Sequence, residues 1–257
     1  MSPIHTPQVL YTAYERRLRR TLTRATLPRH VAVLADGNRR WARANAPGQP
    51  LMAGYRAGAD KLREFCSWCD DLGIPLVTLW VLSTDNLGRD SDDELEPLLD
   101  IIADLVDDLA TRHRVRVVGA FDLLPEKTAA RLRRAQTDSK GRRGMHVNVA
   151  VAYGGRQELR DAVRELLAEE DAKGVTLAQL ADKLEVDQIE AHLYTSGQPD
   201  PDLIIRTSGE QRLSGFLMWQ SAHSEFYFCE ALWPDFRRVD FYRALRSYAQ
   251  RERRFGL

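Results

Sequence analysis

HVAVLADGNRRWA, residues 30–42, begins with an apolar run and ends with an acid, a glycine, an amide and two arginines before Trp41. Residues 31–34 read as a buried strand. A turn from strand to helix needs a glycine and a cap, but not this concentration of charge. In open α/β sheets ligands bind beyond the carboxyl ends of the strands, so other strand exits should carry matching polar groups.

The chain alternates as that reading requires. PLVTLWVLS (75–83), VRVVGA (115–120), MHVNVAVAYGGR (145–156) and PDLIIRTSGE (201–210) read as further strands, and SGFLMWQ (214–220) with EFYFCE (225–230) supplies a sixth. Helical patterns separate them at 55–72, 91–113, 125–136, 157–170, 176–184, 186–194 and 239–257. The expected fold is one α/β domain with a mostly parallel six-stranded sheet flanked by helices. Residues 1–27 form a basic, partly helical lead-in with Leu18 and Leu22 among arginines, and 28–257 is the main domain.

The 257 residues carry 37 basic and 37 acidic side chains, so a general nucleic-acid binder is not expected. No apolar run approaches the ~18 residues of a membrane span, and the N-terminus has no signal-peptide core. The expected location is cytoplasmic, with weak peripheral membrane contact left open. Cys66 and Cys69 form a CxxC, but they share one helix face with Leu62, Phe65 and Leu72 and no second pair follows, so they read as core.

Four strand exits carry the polar chemistry: ADGNRR (35–40), LSTDN (82–86), AYGGR (152–156) and IRTSGEQR (205–212). Arg39, Arg40, Arg89, Arg156, Arg206 and Arg212 gather there, and guanidinium matches phosphate oxygens two at a time. Gly37 and Asn38 stand where backbone N–H groups at a helix start face outward, a ready anion site. No nucleotide-binding glycine loop, nucleophile elbow or zinc helix is present. Asp36 is placed to hold Mg²⁺ against a diphosphate, with Glu225 a second candidate ligand. DDELE (92–96) resembles an aspartate-rich magnesium motif, but Ser91 with Glu94 makes a capping box and explains it as a helix start. The broad apolar set Leu95, Leu98, Leu99, Ile102, Leu105, Val106 and Leu109 must bury against something large, and the 55–72 helix offers a facing stripe. A charged rim over an apolar crevice suits an isoprenyl diphosphate.

The motifs DGNRRWA (36–42), LSTDNLGR (82–89), AYGGRQEL (152–159), DLIIRTSGEQRLSGFLMWQSAHSEFYF (202–228), LWPDF (232–236) and RERRFG (251–256) resemble those of the cis-prenyltransferases, the Z-isoprenyl diphosphate synthases related to undecaprenyl diphosphate synthase. Within that family the chain is similar to actinobacterial short-chain members that form (2Z,6E)-farnesyl diphosphate. The resemblance implies condensation of isopentenyl diphosphate with an allylic diphosphate, with Mg²⁺ and a hydrophobic tunnel between the sheet and two helices. It implies that Asp36 is the central acid and Mg²⁺ holder, assisted by Glu225, with Ser83 and Asn86 completing the reacting centre. Gly37, Asn38, Arg39, Arg40, Trp41 and Arg89 would bind the allylic diphosphate. Arg206, Arg212 and Ser214 would bind isopentenyl diphosphate, joined by Arg254 and Gly256 from the partner of a homodimer. Asp36, the Ser83–Asn86 pair and a diphosphate oxygen are all candidate proton acceptors.

The chain departs from the family pattern in places. Tyr55 replaces a frequent histidine, the 45–52 loop is longer, and Val81 and Leu82 stand where Ala-Phe is common. Valine is larger than alanine, which favours a short product because packed interiors leave little slack. The rivals are a longer-chain synthase, a non-catalytic partner subunit and a lipid-binding module.

Overall fold

The apolar runs pair into one sheet in the computed structural model, which describes residues 8–87 and 92–251. The strands are β1 (His30–Leu34), β2 (Leu76–Trp80), β3 (Arg114–Val118), β4 (His146–Ala150), β5 (Leu203–Arg206) and β6 (Glu225–Phe228). The helices are α1 (Gln8–Thr21), α2 (Asn38–Asn45), α3 (Met52–Leu72), α4 (Thr84–Leu87), α5 (Asp92–Arg112), α6 (Glu126–Asp138), α7 (Gly155–Ala172), α8 (Leu177–Lys183), α9 (Val186–Glu190) and α10 (Arg238–Gln250). Every strand pairing is parallel, in the order β3-β4-β2-β1-β5-β6.

Strand alternation divides the core in two. Val31, Val33, Val77, Leu79, Val115, Val117, Val147 and Val149 face one side, in a cluster shared with α3, α5, α6 and α10. Ala32, Leu34, Val118, Ala150 and Ile204 face the other, under Tyr153, Phe216 and Leu217. The chain leaves β1 toward β2 and leaves β5 toward β6, in opposite directions. The reversal opens a crevice beyond the carboxyl ends of β1 and β5, where such sheets bind ligands.

SGFLMWQ contributes nothing to the sixth strand, which β6 forms alone. Ser214 and Leu217 take positive φ values of 52° and 45°, and consecutive Phe216 and Leu217 are both fully buried. A strand would send them to opposite faces. Leu18 and Leu22 are buried in the main core cluster, and α1 packs along α10, so the lead-in shares the domain's core. Cys66 and Cys69 are buried on α3, and burial pushes Cys66 up to about 12 and Cys69 upward as well. Such thiols stay protonated and pack as small apolar groups. Among the described residues no helix is long and apolar enough to cross a membrane.

His30, 1% exposed, ties the sheet's amino end together. Its Nδ1–H donates to the Pro199 carbonyl at 2.8 Å, so Nε2 accepts from the Thr78 hydroxyl at 2.8 Å. Asn148 Nδ2 donates to the same Thr78 oxygen (3.1 Å) and exchanges bonds with the Gln198 amide. Burial, opposed by the Pro199 carbonyl, pushes the imidazole down to about 4. The unfolded chain titrates near 6.5, so below that pH it binds a proton that the folded chain refuses. The stability that neutral His30 contributes is present above pH ~6.5 and declines toward pH ~4, by ~3 kcal/mol in all. Urea unfolding of the wild type and His30→Gln at pH 7.5 and pH 5 measures this. The wild type should lose ~2 kcal/mol more than the variant over that interval; equal losses would refute the role given to His30.

Candidate active site

Asp36 sits two residues beyond β1, in the crevice between β1 and β5. Its Oδ2 accepts from Ser208 Oγ at 2.9 Å and from Arg206 at 3.2 Å, with Arg40 at 3.5 Å. Arg206 closes β5 and is 4% exposed, while its guanidinium also donates to Ser214 Oγ at 2.9 Å and to the Arg212 carbonyl. The main chain is held as firmly. Asp36 N donates to Thr207 Oγ1 (3.1 Å), which donates back to the Asp36 carbonyl (2.8 Å).

Gly37 makes the turn possible. Its φ is +110°, and a β-carbon there would lie 2.9 Å from Leu232 Cδ2. Glycine is therefore required both by backbone conformation and by close approach. LWPDF is the brace behind this turn: Trp233 N donates to the Asp36 carbonyl at 2.9 Å, and buried Trp233 Nε1 donates to the Gly58 carbonyl at 3.0 Å. Gly37, the N-cap of α2, has no side chain to cap the helix, and a helix start of this kind suits an anion.

A cavity of about 570 Å³ fills the crevice, lined by Asp36, Ser83, Asn86, Arg206, Arg212 and Ser214 together with Val81, Leu82 and Asp85. Beside it a narrow apolar slot of about 30 Å³ runs between α3 and α5, past Leu62, Leu98, Ile102 and Leu105. That is room for about two water molecules, so an isoprenyl tail enters only if α3 and α5 part. Ala35 and Val81 line both spaces. The charged pocket and the apolar slot thus adjoin, with Val81 at the joint.

Tyr55 has a definite partner set. Arg39 Nε donates to its hydroxyl at 2.6 Å, and the hydroxyl donates to Glu94 Oε1 at 3.1 Å; Glu94 also lies 3.3 Å from Arg39. Burial raises the phenol pKa and Arg39 pulls it down, and the phenol stays a neutral donor. Glu94 therefore links α5 to α2 and α3. Its proposed capping partner Ser91 lies outside the described residues, as does Arg89.

Other expected site residues lie elsewhere. Trp41 donates its indole N–H to Asp235 at 2.8 Å, so it anchors α2 to LWPDF rather than lining the pocket. Arg156 is exposed on the first turn of α7. Glu225 is the first residue of β6, opposite Leu203 and hence level with Val31. Asp36 lies beyond the carboxyl end of β1, so the two residues sit toward opposite ends of the sheet. Asp85, not singled out by sequence, lines the pocket instead. Arg254 and Gly256 lie outside the described residues.

Glu158 organises the pocket's far wall from α7. The buried carboxylate accepts from Tyr153 OH, from Tyr194 N at 3.0 Å and from Gln220 Nε2 at 3.1 Å. Tyr153 in turn meets Phe216 edge-on, and Phe216 stacks on Trp80 at 5.1 Å. The 212–220 segment carrying Arg212 and Ser214 is fixed by this hub.

The donors present fit a magnesium diphosphate. Asp36 lines the pocket, and among the described residues its Oδ1 accepts no hydrogen bond, so a hard oxygen is left for a cation. Among the described residues Arg206 Nε is a buried donor without a partner at the pocket, whereas Asn38 Oδ1, a buried acceptor without one, lies against Gly58 beside the apolar slot. Such atoms ask for a ligand.

A family profile described as "Putative undecaprenyl diphosphate synthase" matches residues 34–256. A (2Z,6E)-farnesyl diphosphate synthase of Thermobifida fusca (strain YX) is 60% identical over 248 residues, covering 96% of this chain and 97% of its own. A protein of the same name from Mycolicibacterium smegmatis (strain ATCC 700084 / mc(2)155) is 57% identical over 253 residues, covering 96% and 95%. The crystal structure of lavandulyl diphosphate synthase from Lavandula x intermedia in complex with dimethylallyl diphosphate aligns with a TM-score of 0.82 at 36% identity, covering 91% of this chain and all of that one. With the DGN turn and the IRTSGEQR exit meeting at one crevice, and with matches over nearly its whole length, the chain belongs to the undecaprenyl diphosphate synthase family and is a cis-prenyltransferase.

Proposed function

We propose that residues 28–257 condense isopentenyl diphosphate with geranyl diphosphate to give (2Z,6E)-farnesyl diphosphate, releasing diphosphate. The observation that carries this reading is the shared wall at Ala35 and Val81, which joins a charged pocket to an apolar slot. The names of the relatives at 57–60% identity support the fifteen-carbon product.

In this reading the allylic diphosphate lies on the open N-terminus of α2, with Asn38, Arg39 and Arg40 around it. Isopentenyl diphosphate lies on Arg206, Arg212 and Ser214. Asp36 stands between the two heads and is the residue that would hold Mg²⁺, which when bound neutralises charge building on the leaving diphosphate. Arg206 and Ser208 fix the carboxylate's orientation, so no reorientation is needed as charge develops. Holding both heads at one crevice brings the isopentenyl double bond to the allylic carbon. Closure of α3 and α5 on the tail excludes water from that carbon.

We extend the reading to a homodimer. The described chain ends at Arg251, ion-paired with Glu225 on the outer edge strand β6, away from its own pocket. That exit favours delivery of Arg254 and Gly256 to a second copy.

Purified protein with Mg²⁺, labelled isopentenyl diphosphate and each allylic diphosphate in turn should yield a fifteen-carbon product by mass spectrometry. A ladder reaching fifty carbons would overturn the short-chain reading. Val81→Ala should lengthen the ladder by one or more five-carbon steps, with total turnover kept within about threefold. An unchanged product would remove Val81 from control of length.

A further inference from the structure

The second face of the sheet changes character along its length. Toward the carboxyl ends it is apolar, under Phe216 and Tyr153. Toward the amino ends it is polar: Arg116, Asn148 and Thr78 lie in register across β3, β4 and β2, with Arg114 beside His146 one step below. Parallel strands are ordinarily apolar on both faces because helices cover both. Here the 196–199 segment lies over part of the polar half, with Ser196 bonded to Arg116 and Gln198 to Asn148, and a cavity of about 850 Å³ opens beside it, larger than that of the candidate active site.

Arg29, Arg114, Arg116, Lys140 and Arg143 line this cavity, with Asp70 the one acid among its lining residues. Among the described residues no carboxylate pairs with the side-chain charge of any of the five, although the Asp202 carboxylate accepts from the Arg29 backbone N–H, whereas Arg63, Arg131, Arg238 and Lys173 elsewhere each pair with two. Arg116 donates to the Ser196 carbonyl at 2.9 Å and feels buried Glu158 only at longer range. Burial and then Arg114 lower the pKa of both Arg116 and His146, as expected where cations crowd without a counter-charge.

Two plainer explanations fall short. Helix C-termini favour nearby cations, which accounts for Lys140 just past α6 and Arg114 just past α5 but not for Arg29, Arg116 or Arg143. Charge on an edge strand resists edge pairing, which accounts for a charge on β3 but not for a cavity ringed by residues from five segments. Like charges gathered this closely are stabilised by an anion with several charges of its own.

We propose that this basal cavity is a second anion site, separate from the catalytic crevice at the opposite end of the sheet, and that it binds a soluble polyphosphate. The chemistry is two or three linked phosphates, and an inorganic chain or a nucleoside polyphosphate would both supply it.

The test is calorimetric titration of the full chain with sodium tripolyphosphate and, separately, ATP, without divalent metal, combined with hydrogen exchange. Wild type should show slowed exchange over 143–148 and 196–199 as well as at 36–40 and 206–214. Arg114→Gln/Arg116→Gln should weaken the basal step at least tenfold and abolish protection of the first two segments, with prenyl transfer within about twofold of wild type. If that double variant does not fold, the exposed loop variant Arg143→Gln serves, with at least a threefold weakening expected. Tighter binding of ATP than of tripolyphosphate assigns a nucleotide, and equal binding assigns the phosphate chain alone. Protection confined to 36–40 and 206–214, or basal protection only by oligonucleotides or anionic vesicles, would overturn the proposal.

Discussion

Asp36→Asn should lower kcat by at least ~10³-fold, the scale of losing a preorganised electrostatic group, while the protein stays folded. The substitution keeps the side chain's shape and an oxygen for Ser208 but removes the charge facing the pocket. Asp36→Ala should be as inactive and also less stable. The carboxylate is an acceptor for Arg206, a guanidinium only 4% exposed, and truncation leaves that charge with the Ser214 hydroxyl and the Arg212 carbonyl alone. A loss of roughly 1–3 kcal/mol follows from orphaning a buried donor. Steady-state kinetics with thermal melts of both variants separate the two effects. Retention of more than a tenth of wild-type kcat by Asp36→Asn would remove Asp36 from the centre of the reaction.

That coupling of charge to fold bears on how much a sequence discloses. The strand exits were legible because their ingredients are local: an apolar run, then Asp36-Gly37-Asn38 or Arg206-Thr207-Ser208, each within a few residues. The parallel sheet was legible from the alternation of short apolar runs with amphipathic helices. What could not be read is set by register and by distant packing. Glu225 shares a strand run with aromatic neighbours, and only the pairing of β6 with β5 reveals that it faces the amino end. Leu232 and Trp233 brace Gly37 and Asp36 across almost two hundred residues, with no local signal in LWPDF beyond its aromatic content. SGFLMWQ looked like a strand because apolar residues dominate it, whereas positive φ at Ser214 and Leu217 turns it into a compact lid on the Glu158 hub. Tyr55 was visible as a departure from the family pattern. Its bonds to Arg39 and Glu94 show why a phenol serves there: it receives from the cation and gives to the acid at once.

Glu158→Ala should be among the most destabilising single changes in the chain. It deletes a fully buried acceptor of three bonds and leaves the Tyr153 hydroxyl, the Tyr194 N–H and the Gln220 amide without it. Gln220 keeps Thr195 Oγ1 at 2.9 Å, so two donors carry most of the penalty, ~3–5 kcal/mol with the void included. For a chain of this size that lowers Tm by roughly 10 °C. Glu158→Gln retains an acceptor for Tyr194 and Gln220, and the tyrosine hydroxyl can rotate to accept from the new amide, so about half or more of the loss should be recovered. Because the hub fixes the segment bearing Arg212 and Ser214, Glu158→Gln should raise KM for isopentenyl diphosphate severalfold while leaving KM for the allylic substrate near its wild-type value. A general loss of structure would move both constants together. A melting temperature for Glu158→Ala within 2 °C of wild type would show that the far wall of the pocket is held by aromatic packing of Trp80, Tyr153 and Phe216 instead.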